Sequence, residues 1–244
     1  MQLSVIIPMY NESNIIADTA KRLSDYLQAH VDSYEIIFSD DGSTDGCGEI
    51  VRELSLPHVR VIGDGINRGK GYAVRQAMLA AQGDLVMFTD ADLAYGTDVI
   101  GRVYECYRTD KPDLILGSRN LDKDGYAGYS LLRKVMSKVY IRLLCFVGGF
   151  RLSDSQCGCK AFRRETAHDL FARGTVNGFA FDFEMILWAE RLQYRIKEIP
   201  VQVVNHHDSK VRVVRDTLRM LGDLRKIRKK VKSTPIDSAE NKQA

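Results

Sequence analysis

Leu85-Val86-Met87-Phe88-Thr89-Asp90-Ala91-Asp92 decides the fold. Four apolar residues stop at a polar step carrying two carboxylates, which reads as a buried strand that delivers acids to a loop. The arrangement recurs on both sides. Val5-Ile6-Ile7 reads as a buried strand stopped by Pro8, with helical spacing over Asn14 to Ala29. Tyr34 to Phe38 is a strand ending in Ser39-Asp40-Asp41-Gly42-Ser43, and Val59 to Ile62 is another, followed by a helix over Gly71 to Ala81. Leu114 to Leu116 is the fifth, ending in Gly117-Ser118-Arg119. Strand and helix alternating in this way predict an α/β fold with a mostly parallel sheet flanked by helices.

Open parallel sheets bind ligands outside the carboxyl ends of their strands. Four of the five strands end there in a polar cluster: Tyr10-Asn11-Glu12, Asp40-Asp41, Asp90/Asp92 and Arg119. One such cluster is ordinary turn chemistry; four on one rim point to a ligand. Asp90 and Asp92, two residues apart where strand becomes loop, can reach one hard cation together. Mg²⁺ and Mn²⁺ favour oxygen donors, and Mg²⁺ is commonly held by one or two carboxylates plus substrate phosphates. Two other phosphate signatures fail. Asp64 to Gly71 has Gly71 after Lys70 where a Walker A loop needs Ser or Thr, and no G-x-G-x-x-G follows the first strand. Gly69 and Gly71 either let backbone approach a ligand or serve as turn residues where the helix starts.

Beyond Arg119 the pattern changes. Tyr129 to Val147 reads as an amphipathic helix with Leu132, Val135, Met136, Val139, Tyr140, Leu143 and Leu144 in one stripe and Arg133, Ser137 and Lys138 on other faces. Cys157 to Phe162 reads as a short strand, Phe181 to Leu192 as a helix, and Ile196 to Val204 as a strand interrupted by Pro200. Val211 to Val231 is a strongly basic helical pattern, and a polar tail follows from Ser233. His206-His207 are neighbours in an extended segment, so their side chains point oppositely and do not form a ligand pair. The 244 residues are 45% hydrophobic and 27% charged, the balance of an ordinary globular chain. Five cysteines without C-x-x-C spacing argue against a disulfide framework and a structural zinc site. The first residues carry no secretory-signal pattern. The longest uncharged apolar run, Leu143 to Phe150, is far short of the roughly 20 residues a spanning helix needs.

Taken in order, these segments resemble the family 2 glycosyltransferases, and among them the polyprenyl-phosphate hexose synthases. The matching stretches are Val5 to Glu12, Asp40 to Asp45, Asn67 to Gly71, Asp90 to Asp92, Gly117 to Arg119, Asp154 to Lys160, Lys197 to Val201 and Ser209-Lys210. The Asp154 to Lys160 segment is similar to the glucosyl-type branch more than to the mannosyl-type.

The resemblance implies a GT-A-like, Rossmann-like domain over 1–209, and charge and composition predict a basic membrane-surface helix over 210–232 and a disordered tail over 233–244. The resemblance also implies that Pro8, Tyr10, Glu12 and Asp41 line the nucleotide, and that Asp90, Ala91 and Asp92 meet the nucleotide-sugar. Asp90 and Asp92 would hold Mg²⁺ or Mn²⁺. Mannosyl-type relatives place a metal-assisting Gln two residues past the second Asp, where this sequence has Ala94. Arg119, Arg133 and Ser137 match positions that hold the acceptor's phosphate, with Arg119 also counted as catalytic, and Lys210 is a further donor- or acceptor-phosphate candidate. Arg133 and Ser137, four residues apart, share a helix face, and an ordinary solvated face is the competing reading. Asp182 and Glu184 are either sugar or supporting contacts or structural acids.

The implied reaction is an inverting displacement in which a hexose leaves UDP-glucose or GDP-mannose for a dolichyl or undecaprenyl phosphate. A phosphate monoester, with its second pKa at about 6, is mostly dianionic at neutral pH and needs no strong protein base. Three other readings compete: a sugar-nucleotide pyrophosphorylase, which lacks its glycine-rich loop here; a receiver domain, about half this length; and a non-catalytic nucleotide-sugar-binding subunit. A family 2 enzyme with a non-lipid acceptor is a further alternative. The net charge of +3, from 35 Lys+Arg against 32 Asp+Glu, hides an asymmetry. Lys210 to Lys232 carries +8 and the remainder −5. No nucleic-acid motif accompanies the basic segment, so it predicts an anionic membrane surface as partner, reached from the cytoplasmic side, and no nucleic acid.

Overall fold

In the computed structural model, which describes residues 1–204 and 224–236, strand β1 (Leu3–Met9) runs through the middle of the molecule. All seven of its residues are buried, which is why it reads as a continuous apolar run rather than an alternation. Leu3, Val5 and Ile7 face one helical layer and Ile6 the other. Truncating a fully enclosed residue such as Ile6 to Ala would cost about 2–5 kcal/mol. Pro8 lies inside β1 rather than stopping it, paired with Ser39. Ile6 accepts from Thr89 N on the β4 (Leu85–Phe88) side, and Pro8, two residues on, points the same way past the end of β4. A residue without an N–H therefore sits where no ladder bond is required.

The sheet order is β3 (Val59–Ile62), β2 (Tyr34–Asp40), β1, β4, β6 (Lys160–Arg163), β5 (Leu114–Ser118), β7 (Ile196–Pro200). β6 alone is antiparallel, wedged between β4 and β5, which therefore run the same way and end at the same edge. The mostly parallel α/β sheet is as expected. The predicted Cys157–Phe162 strand forms over Lys160–Arg163, and the predicted Ile196–Val204 strand ends at Pro200.

Helices α1 (Ile16–His30), α2 (Cys47–Glu53) and α4 (Asp98–Asp110) cover one face. Helices α3 (Lys70–Ala80), α6 (Arg164–Arg173), α7 (Phe181–Arg191) and α8, over 224–233, cover the other. The sequence reading left α2, α4 and α6 unmarked. α5 (Leu131–Gly148) begins where Ser130 Oγ accepts from Arg133 N at 3.3 Å and ends at Gly149, whose φ of 81° suits glycine. Its predicted stripe is divided. Leu144 is buried and Tyr140 and Leu143 half-buried, but Leu132, Val135, Met136 and Val139 face outward. The basic pattern over 211–231 falls partly outside the described residues, as does the tail from 237; within them, 224–233 is helical.

Candidate active site

The acidic pair is fixed by the turn that follows β4. Leu93 N donates to Asp90 O at 3.0 Å, and Leu93 takes a left-handed φ of 47°. Ala94 N donates to Asp92 Oδ1 at 3.0 Å, and Thr19 Oγ1 donates to Ala91 O at 2.6 Å, tying the turn to α1. Asp90 receives the Lys70 ammonium on Oδ1. Burial alone would lower the Lys70 pKa, but Asp90, with Asp182 and Asp92 behind it, holds it above the ordinary lysine value. Lys70 therefore sets a positive charge against Asp90 at the rim. On the other side the carboxylate lies against backbone: a Cβ on Gly158 would stand 1.9 Å from Asp90 Oδ2. Only glycine at 158 leaves Asp90 in place.

Beneath them lies a second charged pair. Lys160, 2% exposed, sends Nζ to Cys157 O at 2.6 Å and stands 2.9 Å from Asp182 Oδ1. Burial pushes the Asp182 carboxyl up, and Lys160 and Lys70 pull it back without cancelling the rise. Glu184 faces away from this group, accepting from Thr175 N and Oγ1 and from Val176 N at 2.8–2.9 Å. It holds the 175–177 loop, whose backbone presses on Gly69 and Gly71: Cβ atoms there would meet Asn177 O and Val176 O at 2.6 Å. The close approach those glycines permit is to this loop.

The nucleotide candidates occupy the neighbouring strand ends. Asp41 turns inward, and its carboxylate accepts from Arg68 N and Gly69 N at 2.9–3.0 Å, so it shapes the 64–69 loop. Pro8 is within β1, Tyr10 is exposed, and Glu12 supplies the carbonyl that starts α1. Asn11 joins the two loops by donating from its N–H to Ser43 Oγ at 3.0 Å and accepting from Thr44 N at 2.8 Å.

Arg119 follows β5 on the same edge. It is 8% exposed and forks onto Asp154, itself fully enclosed, through Nε at 2.6 Å and Nη2 at 3.0 Å. Arg119 N also donates to Asp154 at 3.2 Å. A bidentate pair of this kind fixes the guanidinium plane. Its Cζ lies 5.1 Å from the centroid of Tyr126. The Tyr126 hydroxyl is 3.5 Å from Ser137 Oγ on α5, and its ring meets Tyr129 edge-on at 5.7 Å. Arg133 lies over Tyr129, Cζ to centroid 4.0 Å, with its side chain in solvent. Arg119, Ser137 and Arg133 are thus gathered around two tyrosines. Lys210 lies outside the described residues.

One loop connects the two groups. Asp154 holds Arg119, and four residues later Gly158 backs Asp90, its N–H donating to the Tyr95 hydroxyl at 3.2 Å. The sequence reading assigned no role to Lys70, Tyr126 or Asp154. Each lies in or beside a segment it singled out, and a buried arginine's need for a carboxylate is the signal that finds Asp154.

The oxygen donors of the acidic pair are of the kind a hard divalent cation takes. Among the described residues no group of three or more metal-ligating side chains occurs. Two carboxylates suffice for a Mg²⁺ or Mn²⁺ that fills its remaining positions with phosphate oxygens and water.

A mostly parallel sheet with paired acids on its carboxyl rim is the construction of a glycosyltransferase of the GT-A type. The model of the family described as "Glycosyl transferase family 2" matches residues 4–171, and the chain belongs to that family. It is 32% identical over 243 residues to the dolichyl-phosphate beta-glucosyltransferase of Dictyostelium discoideum, covering 93% of this chain and 73% of that one. It is 31% identical to the enzyme of the same name from Saccharomyces cerevisiae, covering 91% and 72%. Among solved structures, glucosyl-3-phosphoglycerate synthase from Mycobacterium tuberculosis, crystallised with Mn²⁺, UDP and phosphoglyceric acid, superimposes with a TM-score of 0.68. That match is 19% identical and covers 97% of this chain and 80% of the other, a likeness of fold.

Proposed function

We propose that this glycosyltransferase moves glucose from a uridine nucleotide-sugar to a polyprenyl phosphate. The observation that carries the reading is the Asp154–Gly158 loop, which braces a metal-type acid pair with one end and a phosphate-type arginine with the other. The glucosyl donor and lipid acceptor follow from relatives named dolichyl-phosphate beta-glucosyltransferase that align with nearly the whole chain.

Asp90 and Asp92 would hold Mg²⁺ or Mn²⁺, which when bound neutralises the leaving diphosphate. Pro8, Tyr10, Glu12 and the loop shaped by Asp41 line the nucleotide. Arg133 and Ser137 receive the acceptor phosphate from the open side, and Arg119 backs them with Nη1, its Nε and Nη2 being spent on Asp154. An acceptor oxygen forms the bond to the anomeric carbon as the bond to the diphosphate breaks, with inversion and no proton to remove from the nucleophile. The protein's part is placement and charge stabilisation. The basic segment 210–232 holds the enzyme to the cytoplasmic face of an anionic membrane, and no nucleic acid is involved.

Thermal-shift titration with UDP-glucose, GDP-mannose, UDP and GDP, each with and without Mn²⁺, tests the donor. A Mn²⁺-dependent rise in Tm with the uridine pair alone is expected. A rise with guanosine only corrects the donor, and no rise with any nucleotide refutes the transferase reading.

A further inference from the structure

Lys70 has no task in the proposed transfer, yet the fold places it closely. It is the first residue of α3 and stands between Gly69 and Gly71. Both glycines lie against the 175–177 loop, and a Cβ on Gly71 would also stand 2.8 Å from Phe181 Cβ at the start of α7. Asp182 is the next residue of α7. Packing at the two glycines therefore brings the Lys70 stem and the Asp182 carboxylate into one neighbourhood, with Asp90 after β4 as its third member.

The lysine holds one acid and has a second within electrostatic reach. Its ammonium pairs with Asp90 Oδ1, and Asp182 and Asp92 also act on its charge. Asp182 Oδ1 stands 2.9 Å from Lys160 Nζ but receives no well-directed hydrogen bond, so it keeps the capacity to accept one. The Lys70 and Asp90 side chains are 27% and 31% exposed, against 2% and 14% for Lys160 and Asp182. The outer pair can part without opening the core, whereas the inner pair is locked into it. Lysine suits such an exchange because its charge is a point on a flexible four-carbon stem.

An ammonium on Asp90 Oδ1 occupies an oxygen that a cation shared by Asp90 and Asp92 needs. With all five groups ionised, Asp90, Asp92, Asp182, Lys70 and Lys160 together carry one negative charge. A divalent cation alone turns this into one positive charge, and a cation together with a diphosphate dianion restores it. We propose that Lys70 is the resident counter-ion of Asp90, that it moves to Asp182 when a divalent cation takes the acid pair, and that this exchange is favourable only with a diphosphate present. Lys70 is thereby a positioning residue that makes cation and donor bind as a unit. The exchange rests on the donor-site reading of Asp90 and Asp92.

The test is titration of free Mn²⁺ by electron paramagnetic resonance on the full chain, with and without saturating UDP. The parent chain should bind Mn²⁺ at least about tenfold more tightly with UDP than without it. Lys70→Met keeps most of the stem and loses the charge. Without UDP it should bind Mn²⁺ at least about tenfold more tightly than the parent, the scale of removing one opposing unit charge from a partly screened site. Its gain on adding UDP should shrink to match, because coupling between two ligands is reciprocal. Lys70→Arg retains the charge and should keep the parent's weak binding of Mn²⁺ alone. Asp182→Asn should weaken Mn²⁺ binding more in the parent than in Lys70→Met, since only the parent has an ammonium to move. Asp182→Asn also strips the enclosed Lys160 of its ion pair, so the partly exposed Lys70 decides the matter if that variant fails to fold. Unchanged Mn²⁺ affinity in Lys70→Met, equal tightening in Lys70→Arg, or equal weakening by Asp182→Asn in both backgrounds would each overturn the proposal and leave the transferase reading standing. Failure of every chain to bind Mn²⁺, even with UDP, would overturn the cation-site reading and the exchange with it.

Discussion

The acid pair after β4 and the arginine–serine pair on α5 are held in opposite ways. Asp90 is gripped by Lys70 on one side and Gly158 on the other, in a turn tied to α1 and pressed against a sheet buried on both faces. Arg133 lies over the Tyr129 ring and stands in solvent on a helix whose outer side is exposed. A metal–diphosphate site needs carboxylates fixed to within about 0.5 Å, which a packed strand end supplies. A lipid phosphate arrives from an apolar phase, so its receptor must stand at the edge of the protein. Under the proposed function, the difference assigns placement precision to the donor half and accessibility to the acceptor half. The Asp154–Gly158 loop touches both Arg119 and Asp90.

Asp154→Ala is expected to have the largest effect because it removes that shared element. It leaves the Arg119 guanidinium enclosed without its carboxylate, at a cost of about 3–5 kcal/mol. Chemical denaturation should show this loss, and both donor binding and transfer should decline together. If stability and donor binding hold while acceptor use alone fails, the loop does not couple the two halves. Next in size, Asp92→Asn should reduce transfer by about 10²–10³-fold, the scale of removing one charge-stabilising group. Its Tm without ligand should stay near that of the parent chain, but the Mn²⁺-dependent nucleotide shift should vanish. A persistent shift would move the metal site elsewhere.

Arg133→Ala separates the halves more cleanly. Loss of one charge-assisted contact of about 1.5–3 kcal/mol predicts a roughly 10–100-fold decrease in transfer to a polyprenyl phosphate. UDP affinity should not change, because the Arg133 side chain stands over Tyr129 while the acid pair is held by other residues. Equal weakening of both would place Arg133 in the donor half and erase the contrast.

How far the sequence discloses these halves follows from which forces are local. β1, β2 and β4 are legible because strands buried on both faces must be apolar throughout, and the acids follow them directly in the chain. The antiparallel insertion of β6 between β4 and β5 is not, because its partners lie more than 40 residues away from it in sequence. Periodicity identifies the stripe of α5 but not whether it turns inward, since the same spacing serves a core and a membrane. The fork of Arg119 onto Asp154 links positions 35 apart, and only the fold brings them together. Pro8 shows the reverse error: its chemistry suggests a strand end, while the short neighbour β4 lets the strand run on.

The smallest expected effect concerns the difference from mannosyl-type relatives. Ala94 follows the left-handed Leu93 and is held by its own backbone, with N–H donating to Asp92 and carbonyl accepting from Val204 N at 2.8 Å. Its side chain is half-buried against the core. Ala94→Gln adds an amide oxygen two residues from the second acid without disturbing either backbone bond. If two carboxylates plus phosphate and water complete the cation's surroundings, the added oxygen displaces one water and gains about 0.5–1.5 kcal/mol, roughly 2- to 10-fold in affinity. Titration of free Mn²⁺ by electron paramagnetic resonance, with UDP saturating, reads this directly. Unchanged affinity would mean that the cation's shell is already full without position 94. The donor half would then be complete as built, and the precision ascribed to it would rest on Asp90 and Asp92 with no third protein oxygen wanting.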